Sequence, residues 1–303
     1  MSTLMLPHTL NVVDLMSALQ REELSGDEIV IDFLPLTFAP PQGMASLACL
    51  MDSWLYEGKR LTLKDAPWCK PFEYLQRMNF FQLFNVFTNE RFTRHAQKGR
   101  FAAMDEVCEG REAKKIATNL ANSIIRDPVL EIVKSDLNNC LYESINNILD
   151  HAGLKTGRRG FAAAQSYRKG RADRKFVIAI VDSGRGIANA LRDNSRLSVP
   201  DDRTALDLAC QPGVTGAEGI KNEFGDPRNV GQGLYQIDQI AEFTQGSFVL
   251  CSGKSRRERT AGQVEISEPF WYWQGTMVVV TLTYSGIRRY IDTLKGAGKI
   301  RLA

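Results

Sequence analysis

Lys175-Phe-Val-Ile-Ala-Ile-Val-Asp182-Ser-Gly-Arg-Gly-Ile187 joins a continuous apolar run to a carboxylate and a pair of glycines. The run from Phe176 to Val181 is rich in β-branched residues and of strand length, so it reads as a strand buried on both faces. A carboxylate where such a strand ends can accept a hydrogen bond from an exocyclic amine. Gly184 and Gly186 would let the backbone approach a flat ring with no Cβ in the way. An ordinary Asp/Gly turn is the plainer alternative.

Working outward, Asn229-Val-Gly-Gln-Gly-Leu-Tyr-Gln236 runs into a helix expected over Gly233 to Phe243. Glycine-rich backbone at a helix N-terminus presents N–H groups and the positive dipole end to phosphates, although a simple flexible cap would look the same. Ser247–Cys251 and Met277–Leu282 read as strands, the second opened by Gly275-Thr276. Upstream, Val107 to Ile125 and Leu130 to His151 read as helices separated by Asp127-Pro128. The second helix sets Glu143, Asn147 and His151 at i, i+4 and i+8 on one face, with Asn146 alongside. Such oxygen donors can hold hydrated Mg²⁺ and a water; a polar stripe on an amphipathic helix is the structural alternative.

The first part of the chain alternates helix and strand. A helical pattern runs from Leu10 to Leu19, then come the strand Glu28–Phe33, a helix from Gly43 to Tyr56, the strand Arg60–Lys64 and a short helix from Pro71 to Met78. This is the pattern of a small α/β unit over residues 1–86. Residues 87–109 are more polar and read as a linker or connecting segment, leaving residues 110–303 as the larger unit.

The four elements carrying Glu143, Asp182, Gly233 and Thr276 have the order and setting of the boxes of the GHKL superfamily of ATP-binding domains. These are the Bergerat-fold domains of DNA gyrase B subunits, histidine kinases and anti-sigma serine kinases, and the chain resembles them over roughly residues 110–285. The resemblance implies an α/β fold: a two-layer α/β sandwich with a mixed sheet. It implies ATP and Mg²⁺ as ligands, Asn147 as the residue that binds the metal, and Glu143 as the general base that polarises the attacking water. Asp182 would read adenine, with Thr276 in support. Gly184, Gly186 and Ile187 would belong to the base-side loop, and Gly231, Gln232, Gly233 and Leu234 to the phosphate side. Residues 188–230 would form a lid, with Lys221 and Arg228 as its cations nearest the phosphate loop. Residues 25–85 resemble a STAS-like module, but Gln42 and Gly43 stand where a phosphoacceptor serine would be.

The implied activity is that of an ATPase or protein kinase driving a regulatory conformational switch. The alternative is a nucleotide-sensing interaction module without turnover, acting through the STAS-like half. His8, His95 and His151 all lack the setting of a phosphoacceptor on a dimerisation helix, which argues against a self-phosphorylating histidine kinase. A protein partner is expected, and the family resemblance makes a homodimer plausible.

Composition narrows the remaining classes. With 303 residues, 44% apolar and 24% charged, the chain is that of a folded protein. Its start lacks the pattern of a secretory signal and no apolar run reaches membrane-spanning length, so a cytoplasmic protein without membrane association is expected. Six dispersed cysteines, with no CxxC pair, point to reduced buried thiols. A net charge of +3 does not by itself imply nucleic-acid binding. Lys155–Lys175 holds eight basic residues against Asp173, and Lys254–Arg259 holds four more beside Glu258. Solvated hairpins are favoured there over a nucleic-acid surface. Phe270-Trp-Tyr-Trp273 reads as core or strand-edge packing, with a protein interface as the alternative.

Overall fold

Strand β6 (Lys175–Asp182) lies inside a seven-stranded sheet. The order is β4 (Phe101–Val107), β5 (Gly160–Tyr167), β6, β10 (Trp273–Thr283), β7 (Ser247–Gly253), β8 (Ser255–Thr260) and β9 (Gln263–Ser267). The computed structural model describes residues 1–22, 24–107, 110–124, 128–148, 158–168, 173–216 and 231–296, without the side chains of 110, 111, 147, 148, 295 and 296. Every pairing in the large sheet is antiparallel, which corrects the expected mixed sheet. The last strand, β10, returns between β6 and β7 and runs against both. The two strands that share a direction are thus separated and never pair.

The central strands of the sheet are buried on both faces, which is why β6 reads as a continuous apolar run. Ile178 and Ile180 of β6, with Val278 and Val280 of β10, face a core completed by α4 (Gly110–Asn122), α5 (Lys134–Ile148), α8 (Gly233–Phe243) and α9 (Tyr284–Gly296). Ala179 and Val181, with Met277 and Val279, face a second core that they share with the N-terminal segment. That segment runs β1 (Ser2–Met5), α1 (Val12–Arg21), β2 (Glu28–Asp32), α2 (Pro41–Tyr56), β3 (Arg60–Lys64) and α3 (Phe72–Arg77), and its three strands are parallel in the order β1-β2-β3. Helix α2 packs against β5 and β6 of the large sheet and buries Met44, Leu47, Ala48, Cys49 and Met51. A helix apolar around most of its circumference belongs between two layers.

Several segments depart from their sequence reading. Residues 101–107, within the expected connecting segment, form the edge strand β4, and α4 begins only at Gly110. The expected Leu130–His151 helix starts as a 3₁₀ stretch, Pro128–Val133, before α5, and His151 lies outside the described residues. The basic stretch 155–175 is not simply a solvated hairpin. It carries β5, whose Phe161 and Ala162–Ala164 are fully buried, so the flanking charges had masked a small-residue core strand. In Phe270-Trp-Tyr-Trp273 the tryptophans are buried while Phe270 and Tyr272 are exposed. Cys49, Cys69, Cys140, Cys210 and Cys251 are free and buried.

Candidate functional site

Asp182 ends β6 beside the point where the pairing of β10 with β7 becomes irregular. Met277 pairs with Val181, and the register of β10 against β7 shifts between Trp273 and Met277. The irregularity sets Gly275 and Thr276 beside the carboxylate. Gly184 N donates to Asp182 Oδ1 (2.7 Å), Thr276 N donates to Oδ2 (3.2 Å), and the Thr276 side chain adds a hydrogen bond. Gly275 has φ +102°, and a Cβ there would fall 2.3 Å from Asp182 O and 2.7 Å from Oδ1, so neither the backbone nor the space admits a side chain. Ser252 Oγ accepts from Ile187 N (2.9 Å) and donates to Gly275 O (2.7 Å), tying the turn after Asp182 to β10.

Asp182 is 2% exposed and, among the described residues, no cation pairs with it. Burial pushes its pKa up to about 7, and the donors from Gly184 and Thr276 only partly oppose that rise. The carboxylate lines a cleft, partly open to solvent, that is also lined by Gly186, Ile187, Gly231, Gly233, Leu234 and Thr276. Ile180, Val278, Leu191 and Val214 give it apolar walls suited to a flat ring. Part of its wall comes from α6 (Ile187–Leu191) and from Ala209 at the end of α7 (Asp202–Ala209), within the region expected to be a lid.

The far end of the cleft is the N-terminus of α8. A Cβ on Gly233 would lie 2.7 Å from Glu143 Cβ and 3.4 Å from Glu143 Oε2, so glycine is what allows α5 and α8 to meet there. Glu143 therefore flanks the helix start that was expected to receive phosphates. Gly184 contributes its backbone N–H. The Gln232 side chain is exposed and accepts from Gln236 Nε2 (3.1 Å), apart from the cleft lining. The side chain of Asn147 lies outside the described residues, as do Lys221, Arg228 and Asn229. Among the described residues no group of three or more His, Cys, Asp or Glu could hold a metal ion.

A second buried carboxylate lies on α8. Arg257 donates Nη1 to Asp238 Oδ1 (3.1 Å) and Nη2 to Oδ2 (3.0 Å), and Arg259 donates Nε to Oδ1 (2.7 Å) and Nη2 to Oδ2 (2.8 Å). This corrects the reading of Lys254–Arg259 as a solvated basic stretch. Alternate residues of β8 turn inward, and Arg257 and Arg259 are buried because Asp238 is there to pair with them. Burial would raise Asp238, but the hydrogen bonds from Arg259 and Arg257 hold it below the usual carboxylate range.

Sequence reasoning missed Ser144, Ser252 and Trp273. Ser144 lines the cleft one residue after Glu143; Ser252 braces the Asp182 turn; Trp273 Nε1 donates to Asp182 O (2.9 Å). Trp273 stands in a stretch that reads as packing, and Ser144 in the helix read for its Glu143 and Asn147 face. No family model matches this chain, and no curated protein matches it in sequence. Among the described residues no helix is long and apolar enough to cross a membrane.

Proposed function

We propose that the cleft binds ATP and that the protein is a GHKL-type regulatory ATPase or protein kinase. The observation that carries this reading is the buried Asp182 carboxylate. Among the described residues no cation pairs with it, it opens onto an apolar-walled cleft, and the cleft ends at a glycine-rich helix start flanked by Glu143. In this reading Asp182 accepts from the exocyclic amine of adenine while Thr276 and Gly184 fix the carboxylate. The N–H groups at the start of α8 take the phosphates. Glu143 orients and deprotonates the attacking nucleophile. Mg²⁺ bound with the phosphates would neutralise their charge, and the oxygen donors Glu143 and Asn147, one turn apart on α5, are of the hard type such an ion takes.

The alternative, nucleotide sensing without turnover, is favoured by one observation: α2 of the N-terminal segment packs directly behind the strand that carries Asp182. A regulatory protein partner, a homodimer and a cytoplasmic setting belong to both readings. The test is calorimetry with ATP and Mg²⁺ on wild type and Asp182→Asn, with phosphate release measured on wild type and Glu143→Ala. Binding lost in Asp182→Asn, and release lost but binding kept in Glu143→Ala, are expected. Wild type that does not bind ATP sinks the proposal, and binding without release leaves the sensing alternative.

A further inference from the structure

We infer that α2 is the positioning element of the base-recognising turn, so that the N-terminal half sets the affinity of the cleft for its base. The inference rests on the nucleotide reading above. Three consecutive carbonyls at the end of β6 each accept a side-chain donor. Cys49 Sγ donates to Val181 O (3.3 Å), Trp273 Nε1 to Asp182 O (2.9 Å) and Arg158 Nη1 to Ser183 O (3.0 Å). Two of the three depend on α2. Cys49 stands on that helix, and the Arg158 guanidinium lies over the ring of Tyr56, 5.6 Å from its centroid.

Between those residues on α2, Asp52 accepts from the backbone N (3.0 Å) and the Nε of Arg159, fixing the chain next to Arg158. Arg159 also donates to Glu106 Oε2 on β4 (2.6 Å). Cys49, Asp52 and Tyr56 are spaced i, i+3 and i+7, which is one helix face. That face thus grips the segment entering β5 and the turn leaving β6, on either side of Asp182. A shift of α2 would move the backbone on which the carboxylate is aimed, with no change in any residue lining the cleft. Cys49, Tyr56 and Arg158 are positioning residues in this scheme, since none of them is among the cleft-lining residues.

The test uses the full chain with Arg158→Ala, Tyr56→Ala and Tyr56→Phe. Tyr56 is 59% exposed, so its truncation does not empty the core. The first readout needs no ligand: amide hydrogen exchange at Gly184 and Ile187, whose N–H groups are bonded to Asp182 Oδ1 and Ser252 Oγ. Exchange there is expected to be about tenfold faster in both alanine variants, the size of one lost hydrogen bond, and unchanged over 202–209. Tyr56→Phe keeps the ring under the guanidinium and is expected to match wild type. The second readout separates base from phosphates: adenosine binding should weaken about tenfold in the alanine variants while tripolyphosphate binding holds. Unchanged exchange at Gly184 in Arg158→Ala overturns the inference. So does equal weakening of adenosine and tripolyphosphate, or a Tyr56→Phe variant as impaired as Tyr56→Ala. Wild type that binds no adenosine removes the nucleotide reading and this extension together, and that is seen before any variant is made.

Discussion

Asp182 and Asp238 are equally buried, each 2% exposed, and are compensated in opposite ways. Asp238 receives four hydrogen bonds from two guanidinium groups, which hold it ionised and lash α8 to β8. Among the described residues Asp182 receives backbone and hydroxyl donors and no cation, so burial wins and its pKa rises to about 7. The first carboxylate is saturated and serves the fold. The second keeps a desolvation cost that its described neighbours do not offset, at a cleft where a ligand can offset it. Burial of a charge therefore does not distinguish structure from function here; the presence or absence of a built-in counter-charge does.

The largest expected effect tests the structural half of that comparison. Asp238→Ala leaves Arg257 and Arg259 buried without their partner and should cost about 3–5 kcal/mol in denaturant unfolding. Its pH dependence has a definite sign. A carboxylate held below its ordinary value adds stability that is present above about pH 3.8 and lost as pH falls through the folded-state value. The difference between wild type and Asp238→Asn should accordingly shrink only in strong acid.

Asp182→Asn is expected to move stability the other way. The folded carboxyl titrates near 7 and the unfolded one near 3.8, so the native state binds more protons between those values and wild type loses stability as pH rises through them. The ceiling on that loss at pH 8 is about 4 kcal/mol. Because the amide leaves one of the local donors without an acceptor, a gain of about 2 kcal/mol is expected for Asp182→Asn at pH 8. The gain should fade toward pH 4. Thermal unfolding across that range checks it, and a variant that is less stable than wild type at pH 8 would break the comparison.

The two carboxylates also differ in how legible they were. Asp182 could be read because everything that makes it unusual is local: the apolar run from Phe176 to Val181 and the glycines at 184 and 186 mark a strand end open to a ring. Asp238 gave no signal, since it sits in an ordinary amphipathic helix and its partners lie 19 and 21 residues further on. Those partners were misread for the same reason, because arginines alternating along β8 look solvated until a facing carboxylate is known. β5 was hidden by its composition, as an alanine-rich strand takes its burial from α2 and α4 packed on it and shows no strong apolar run of its own. The sandwiching of α2 between two sheets was equally out of reach, because one helix pattern cannot say how many faces are covered.

Ligand binding should carry the same titration. The ionised Asp182 is the stronger acceptor for an amine, because its charge strengthens the hydrogen bond, so affinity should fall as pH drops below about 7. Between pH 8 and pH 6 the ionised fraction falls about tenfold, and adenosine, which does not titrate in that range, is the suitable probe. A flat profile would mean that the charge on the carboxylate adds nothing to binding, and the contrast with Asp238 would then describe stability alone.

The smallest effect concerns what holds each carboxylate in place. Asp238 is aimed by charge, and its two guanidinium groups would re-form their contacts after a modest local shift. Asp182 is aimed by neutral hydrogen bonds at one remove, and Ser252 is the keystone among them because its single hydroxyl accepts from Ile187 N and donates to Gly275 O. Ser252→Ala takes a partner from both groups at once, with Ile187 largely buried. One of them is expected to regain a partner by admitting water near the cleft, so the net cost should be about 1 kcal/mol rather than the sum of two lost bonds. What separates this from a general weakening is where the cost falls. Hydrogen exchange at Ile187 should accelerate and adenosine affinity should drop severalfold, while the amides of α8 around Asp238 keep their wild-type protection. If α8 loosens as much as the Asp182 turn does, the two carboxylates share one cooperative frame, and the division between a fold-serving and a ligand-serving charge is not built into separate parts of the sheet.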